Sequence, residues 1–351
     1  MAIQYYEWRS LTNAVNKVKR LNPFLLGMFF KRKEGHADEK IDVEIIESSA
    51  KMAQFVGKHA PPKLLSKRAR KVYTFKIPRT FEGKVFDADE LAKFKMSADG
   101  TYIGSVAERE RQTQEFVLQE LGDLKDRVIN RRELMAAQAL VSGVVTVAEG
   151  GVTNTADYGF VDGTHLLELS GTSRWGQSAS DIPQAFVTHP RNIRRRTGNY
   201  NAPVVCTMGY AAADTFRKDP AVMKELNNLN YQVGRLNLNK GEDQPGVNFI
   251  GTYKNIDCYE YGQSYKDEND VEQELFPTDR AVFHQHSDNN RIHTGPIYRI
   301  DKANNQTLKI INEYLMDVTT DKYNTSVEWT LEQKSLPILH DPDSTVSIDV
   351  L

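Results

Sequence analysis

Three histidines, His284, His286 and His293, form the part of the sequence that comes closest to a metal-binding pattern. Side chains two residues apart on a strand share one face, so His284 and His286 could chelate an ion together. No acidic residue or cysteine lies at ligand spacing from them. We therefore favour a polar strand end and predict no metal-binding residues.

Recognisable catalytic motifs are missing from the sequence. It has no phosphate-binding glycine loop, no His-Glu-x-x-His, no nucleophile elbow and no dinucleotide fingerprint. Asp87, Asp89 and Glu90 cluster, but flanking lysines make them typical of a solvated face. We predict a protein that is not an enzyme, with no catalytic or cofactor-binding residues and no cofactor.

Two basic clusters are candidates for binding nucleic acid. Residues 191–196 read Arg-Asn-Ile-Arg-Arg-Arg, and six basic residues lie between Lys63 and Lys76. The first could contact DNA or complement the dipole at a helix end. The second could contact DNA or pair with acidic residues of another subunit. A net charge of −2 argues against a general nucleic-acid binder, so we favour the second option for each.

The composition is that of a soluble protein with a sizeable core. Hydrophobic residues make up 40% of the 351 positions, and no apolar run is long enough to span a bilayer. Cys206 and Cys258 lie in apolar, strand-like contexts, which predicts buried free thiols in a reducing compartment. With no signal peptide visible, we expect a cytosolic product.

The elements that would position these residues begin with an arm and a ribbon. Asn22-Pro23 ends a short helix, and the apolar run 24–30 must then dock on the body or on a neighbouring subunit. Alternating apolar residues predict strands at 41–45 and 71–77. Their separation suggests an extended hairpin, which is marginal in water unless something covers it.

A long helix and a mixed α/β region follow. Residues 106–143 show helical apolar spacing, with Ser105 as a cap and Gly143 as a stop, and predict a helix about 55 Å long. Strands are predicted at 144–147 and 158–163 around the Gly150-Gly151 turn. Helices are predicted after Asp181 and Asp219, and buried strands at 203–208, 249–253 and 257–261.

The sequence ends in a strand, a turn and a second strand. Residues 324–339 predict a returning strand, and Asp341-Pro342-Asp343 is typical of a turn. Alternation in 346–350 predicts a final half-buried strand. This pattern in 336–351, the Asn-Pro-apolar-Phe-Phe segment at 22–30 and the stretch 276–297 together resemble the lambda-type capsid protein E family of tailed bacteriophages.

The resemblance covers nearly the whole chain and implies an α+β, tailed-phage (Hong-Kong-type) major capsid fold. It implies an N-terminal arm over 1–40, an extended β-hairpin intersubunit loop over 41–100, and a spine helix with the peripheral domain over 101–180. The axial domain would cover 181–320, and 321–351 would be the return strand of the peripheral domain.

The function implied by the resemblance is structural. Hexamers and pentamers would close into an icosahedral shell around double-stranded DNA. The implied partners are a separate scaffolding protein, a portal, an optional decoration protein and non-specifically packaged DNA, with no membrane, and assembly would take place in the host cytoplasm. The alternatives are an encapsulin-like compartment, which shares the fold, and a soluble α/β enzyme. The residues we expect at intersubunit interfaces are Phe24, Leu25, Phe29, Phe30, Lys63, Lys67, Arg68, Arg70 and Lys71.

Overall fold

The computed structural model describes Thr12 and residues 23–46, 70–87, 106–149, 152–226, 234–236, 246–266, 271–301, 306–320 and 325–351. Five α-helices lie in this part of the chain: α1 (Phe24–Phe29), α2 (Val106–Val141), α3 (Ile182–Thr197), α4 (Tyr210–Lys218) and α5 (Pro220–Leu226). Ser105, the predicted cap of the long helix, lies outside the described residues.

The spine of the subunit is α2, whose 36 residues confirm the predicted long helix. Its fully buried Leu121, Leu124 and Val128 belong to one hydrophobic core, and Met135 and Leu140 belong to a second. The helix therefore joins two cores that are stacked along its length. It stops at Gly143, whose φ of +69° favours glycine and where a Cβ would lie 2.2 Å from the Phe160 ring.

A seven-stranded sheet carries the third core. Its strands, in spatial order, are β7 (Leu166–Glu168), β20 (Thr345–Asp349), β14 (Arg280–Gln285), β8 (Val204–Met208), β11 (Ile256–Tyr261), β10 (Val247–Tyr253) and β9 (Gly234–Leu236). Helix α3 packs on this sheet through Phe186, whose ring lies 5.0 Å from that of Phe283. The predicted starts of α3 and α5 are confirmed, because Asp181 accepts a bond from Gln184 N and Asp219 accepts one from Val222 N.

A five-stranded sheet lies against the spine. It contains β1 (Arg32–Gly35), β15 (Arg291–Thr294), β19 (Ser326–Ile338) and β18 (Leu315–Thr320) in that order, and β4 (Arg79–Asp87) also pairs with β19. The 13-residue β19 confirms the predicted returning strand. The sequence did not predict β4, which pairs with the first nine residues of β19 from Ser326 to Lys334.

Four two-stranded ribbons complete the described strands: β2 (Lys40–Ile46) with β3 (Arg70–Lys76), β5 (Val144–Glu149) with β6 (Val152–Asp157), β12 (Ser264–Lys266) with β13 (Glu272–Glu274), and β16 (Ile297–Asp301) with β17 (Gln306–Ile310). Pairing of β2 with β3 confirms the predicted hairpin strands. The predicted strand at 158–163 is wrong, because β5 pairs with 152–157 instead. Tyr158 turns inward, and its hydroxyl donates to the buried Pro337 carbonyl at 2.7 Å.

The C-terminal turn and strand are confirmed. A 3-10 turn at Pro342–Ser344 leads into β20, which lies between β14 and β7. Trp175 N donates to Val350 O at 2.8 Å and ties the last strand to the loop after β7. The last strand thus joins the seven-stranded sheet, while β19 belongs to the five-stranded one. The domain boundaries given above stay a prediction.

Both cysteines are free and buried, as predicted, and occupy paired positions on β8 and β11. Burial raises the pKa of each thiol above its usual value. In the described part of the chain, no helix has both the length and the apolar character needed to cross a bilayer.

Candidate functional site

The apolar segment 24–30 docks on the body of its own chain. Phe24, Leu25, Phe29 and Phe30 are each at most 3% exposed and belong to the same core as the C-terminal half of α2. The Phe24 ring stacks on that of Tyr261 at 5.7 Å. The sequence left open whether this segment docks on its own subunit or on a neighbouring one. The structure shows it docked on its own subunit. A role for these residues between subunits stays a prediction.

Glu133 of the spine anchors the start of this arm helix. Its Oε1 accepts bonds from Leu25 N at 2.6 Å and from the Tyr261 hydroxyl at 3.1 Å, and its Oε2 accepts one from Leu26 N at 3.1 Å. Pro23, at the cap position, makes no side-chain cap bond, so Glu133 satisfies the free N–H groups of α1 from another helix. Burial raises the pKa of Glu133, while its donors oppose that shift.

Arg132, the preceding residue on the spine, anchors the next part of the arm. Its Nη1 donates to Glu313 Oε1 at 2.7 Å and to the Tyr314 hydroxyl at 2.9 Å. The other Glu313 oxygen accepts from Lys33 Nζ on β1 at 2.6 Å. Burial disfavours the ionised form of Glu313, but the two cations outweigh it and lower its pKa. Two adjacent spine residues therefore hold both α1 and β1.

The β2–β3 ribbon is fixed to the body at its base. Ile41, Val43 and Phe75 are buried in the same core as α1, and the Phe75 ring packs edge-on against Tyr158 at 5.5 Å. Val72, on the other face of β3, is 58% exposed. The ribbon therefore has one covered face and one open face where it leaves the body.

Two of the predicted basic interface residues lie at the outer end of this ribbon. Arg70 and Lys71 are on β3, opposite Ile46 and Ile45 of β2. The remaining three, Lys63, Lys67 and Arg68, lie outside the described residues. Their role at an interface stays a prediction.

A charged cleft of about 690 Å³ opens at the base of the ribbon. Lys334 Nζ and Glu39 Oε1 pair across it at 2.6 Å, and Arg79 Nε pairs with Glu332 Oε1 at 2.7 Å. The exposed ring of Phe81 lies 4.5 Å from the Arg79 guanidinium. The cleft thus presents charges of both signs beside an exposed aromatic ring.

Comparison with known proteins identifies the family. The sequence model described as phage major capsid protein E matches residues 7–350. The chain belongs to this family. It is a phage major capsid protein, and its place is in the virion capsid. No curated protein sequence matches it. Family membership implies a structural role and not an enzymatic one.

Solved structures share the fold of this capsid protein at low sequence identity. A candidate capsid protein of a prophage of Escherichia coli CFT073 is 14% identical, with a TM-score of 0.69 over 98% of this chain and 99% of that one. A phage-related protein of Bordetella bronchiseptica RB50 is 10% identical, with a TM-score of 0.53 over 97% and 95%. The cyanophage A-1(L) capsid chain is 13% identical, with a TM-score of 0.50 over 95% and 94%. The predicted α+β, Hong-Kong-type fold is confirmed.

The histidines that opened the sequence analysis do not converge in this capsid protein. His284 is buried, and its Nδ1 lies 2.6 Å from Thr345 Oγ1. Burial lowers its pKa to about 3, so it is neutral at physiological pH. His293 contacts two other histidines instead, His36 and His340.

The basic cluster at 191–196 lies at the end of α3, where the dipole favours cations. Arg196 donates to the carbonyls of Thr164 and Thr345 at 2.8 and 3.4 Å. This cation ties α3 to the loop before β7 and to the start of β20. Arg191 and Arg195 are exposed, and DNA contact by them stays an alternative.

Sequence analysis missed Arg132 and Glu133 as anchoring residues. The signal was present, because both follow Val128 and precede Met135 on the apolar stripe of the long helix. Charged residues on a buried stripe are rare unless they are paired. Their partners, Leu25 and Glu313, lie 108 and 181 positions away from Glu133 and Arg132 and could not be named from spacing.

Proposed function

We propose that many copies of this chain form the hexamers and pentamers of an icosahedral phage shell that encloses double-stranded DNA. The observation that carries the proposal is the β2–β3 ribbon, anchored in the core at its base and open on one face beyond it. Two strands alone are marginal in water, so a surface on another copy is the natural cover for the outer part. The neighbours' fold and the family support this reading.

The proposed mechanism is geometric. Head-to-tail contacts between identical subunits close into rings, and each ribbon lying on the next subunit adds a further contact to every ring interface. Several weak contacts on one rigid subunit act together, so a shell can be stable although each contact is weak. The anchors at Arg132 and Glu133 keep the arm fixed to the spine helix of its own subunit.

The proposed partners follow from this assembly. A separate scaffolding protein and a portal would set the shell size and provide its entry point, and a decoration protein could bind the outer surface. DNA would be a non-specific partner that is held weakly, because the net charge of −2 provides no strong attraction for phosphates. Assembly would take place in the host cytoplasm. An encapsulin-like compartment remains the alternative, and it would lack packaged DNA.

The first experiment is expression of the full-length chain, alone and with a co-expressed scaffolding protein, followed by size-exclusion chromatography and negative-stain electron microscopy. Shells, tubes or rings of six subunits are expected. A chain that stays monomeric under both conditions would refute the proposal. Shells that hold a protein cargo and never package DNA would favour the compartment.

The ribbon can be tested separately. Ile46 and Arg70 face each other across β2 and β3, so a two-residue Asn-Gly turn can replace residues 47–69 and leave both strands paired. We expect this variant to fold and to lose assembly. A milder variant, Lys63→Gln with Lys67→Gln and Arg68→Gln, should weaken assembly more at low than at high salt, because salt screens the ion pairs that it removes.

A matched control removes three positive charges elsewhere, with Arg191→Gln, Arg195→Gln and Lys218→Gln. All three side chains are exposed, and none lies on the ribbon. The control should assemble like the wild type. Equal loss in both triple variants would show that assembly depends on total charge and would contradict a specific role for the ribbon.

A further inference from the structure

Three possible metal ligands meet where the arm strand joins the five-stranded sheet. β1 runs parallel to β15, with Glu34 in register with His293, and His36 follows at the end of β1. The ligand atoms of Glu34, His36 and His293 all lie within 4.8 Å of one another. His36 Nε2 and His293 Nδ1 are 2.6 Å apart, although 257 positions separate them in sequence.

Neighbouring residues orient two of these ligands. The other nitrogen of His293, Nε2, lies 2.8 Å from His340 Nε2. A proton held there leaves Nδ1 as the free lone pair, facing His36. Arg291 Nη1 binds Glu34 Oε2 at 2.7 Å, which fixes that carboxylate and leaves Oε1 available. Such outer contacts are typical of metal ligands, because they set the tautomer and the direction of each donor.

We propose that Glu34, His36 and His293 form a binding site for a divalent transition metal of the Zn²⁺ type. Two imidazole nitrogens and one carboxylate oxygen are a donor set that zinc accepts, with water as the fourth ligand. Mg²⁺ and Ca²⁺ prefer oxygen donors and fit this set poorly. The sequence analysis did not predict this site because Glu34 and His36 are far from His293 along the chain.

The distances require one small movement. Two nitrogens about 2.05 Å from a tetrahedral zinc ion are about 3.3 Å apart, so the imidazoles must separate by about 0.7 Å. His293 is 3% exposed and held on β15, whereas His36 is half-buried at the end of β1 and can move outward. The same partial exposure of His36 and Glu34 gives an ion a route from solvent.

Metal bound here would fix the arm to the sheet. Glu34 and His36 lie only a few residues after the apolar helix α1, and His293 lies on β15 inside the five-stranded sheet. An ion that joins them adds a cross-link that the unfolded chain cannot form. Binding to the folded state alone raises its stability in proportion to the logarithm of the free metal concentration.

The test is zinc titration of the purified full-length chain after removal of metal with a chelator. Competition with a chromophoric zinc indicator gives stoichiometry and affinity, and thermal unfolding with and without Zn²⁺ gives the stabilisation. We expect one zinc per chain for the wild type. His36→Gln should weaken binding more than 100-fold, and His340→Gln, which alters only an outer contact, about 10- to 100-fold.

His286→Gln is the matched control, because His286 is also partly exposed and is outside the group. It should bind zinc like the wild type. His36→Gln keeps the backbone bond from His36 N to Thr294 O, so its fold can be checked by circular dichroism before the titration.

Absence of zinc binding, or equal binding by wild type and His36→Gln, would overturn the proposal and leave a row of hydrogen-bonded histidines. Loss of binding in His286→Gln together with retention in His36→Gln would also overturn it. The titration needs no assembled shell, so its result is independent of the assembly experiments.

Discussion

Replacing Glu133 tests whether the spine holds the arm helix. In Glu133→Ala, the N–H groups of Leu25 and Leu26 and the hydroxyl of Tyr261 lose their common acceptor inside the core. In Glu133→Gln, an oxygen at the Oε1 position keeps two of these bonds, while the new amide group faces Leu26 N–H donor to donor. Glu133→Ala therefore removes three hydrogen bonds, and Glu133→Gln removes one of the same three.

The expected cost follows from the number of donors left unpaired. The Tyr261 hydroxyl keeps Gln263 Oε1 as an acceptor at 3.1 Å, so Glu133→Ala leaves two donors unpaired, the N–H groups of Leu25 and Leu26. Each buried donor without a partner costs about 1–3 kcal/mol, which gives about 1–3 kcal/mol for Glu133→Gln and about 2–6 kcal/mol for Glu133→Ala. The native protein also spends several kcal/mol on burying the carboxylate, and the alanine variant recovers part of this. We therefore expect Glu133→Ala to lose about 2–4 kcal/mol of unfolding free energy.

The assay combines urea unfolding of the full-length chain with hydrogen exchange of its backbone amides. Exchange should speed up first at Leu25 and Leu26, because their N–H groups bind Glu133 directly. Glu168→Gln, at an exposed position on β7, is the control and should change stability by no more than about 0.5 kcal/mol.

Two results would refute this reasoning. One is a Glu133→Ala protein within about 1 kcal/mol of the wild type, because two buried N–H groups without an acceptor should cost more than that. The other is a large loss of stability with unchanged exchange at Leu25 and Leu26, which would place the effect of Glu133 away from the arm.

Three further predictions concern other parts of the subunit. Tyr158→Phe should cost about 1–3 kcal/mol in urea unfolding, because it leaves the buried Pro337 carbonyl without its donor; no change would contradict the bond. Burial lowers the pKa of His189 to about 4. Between about pH 6.5 and pH 4, the unfolded chain therefore binds a proton at His189 and the native chain does not. Stability should therefore fall between about pH 6.5 and 4, by roughly 3 kcal/mol at most for this group, and His189→Gln should show a shallower fall in pH-dependent unfolding. Gly143→Ala should lose about 2–5 kcal/mol in the same urea assay, because it combines a positive φ with overlap on Phe160; a loss below about 1 kcal/mol would contradict that clash.

Local chemistry explains what could be predicted from the sequence. Asp181 and Asp219 were identified as helix starts because a cap bond joins residues only three positions apart. Gly143 was identified as the helix stop for a similar local reason. The order of arm, ribbon and long helix followed from apolar periodicity, which the packing of α2 preserves along its length.

Pairings between distant segments explain what could not be predicted. Strand β6 reads Val-Thr-Asn-Thr-Ala-Asp and carries too few apolar residues to be recognised, although its pairing with β5 is regular. His293 was grouped with His284 by sequence proximity, but β1 brings His36 to it across the sheet. Spacing along the chain carries no information about such contacts.

The pairing of β1 with β15 also sets an order of events during synthesis. His36 and His293 are 257 positions apart, which at about 5–20 residues per second means that β15 is made roughly 13–50 s after β1. Until then the arm strand has no edge to join, although Glu133 and the spine are already available to α1. A newborn chain can therefore hold its arm only through α1 for tens of seconds, and the hydrogen-bonding groups of β1 stay unpaired until β15 is made.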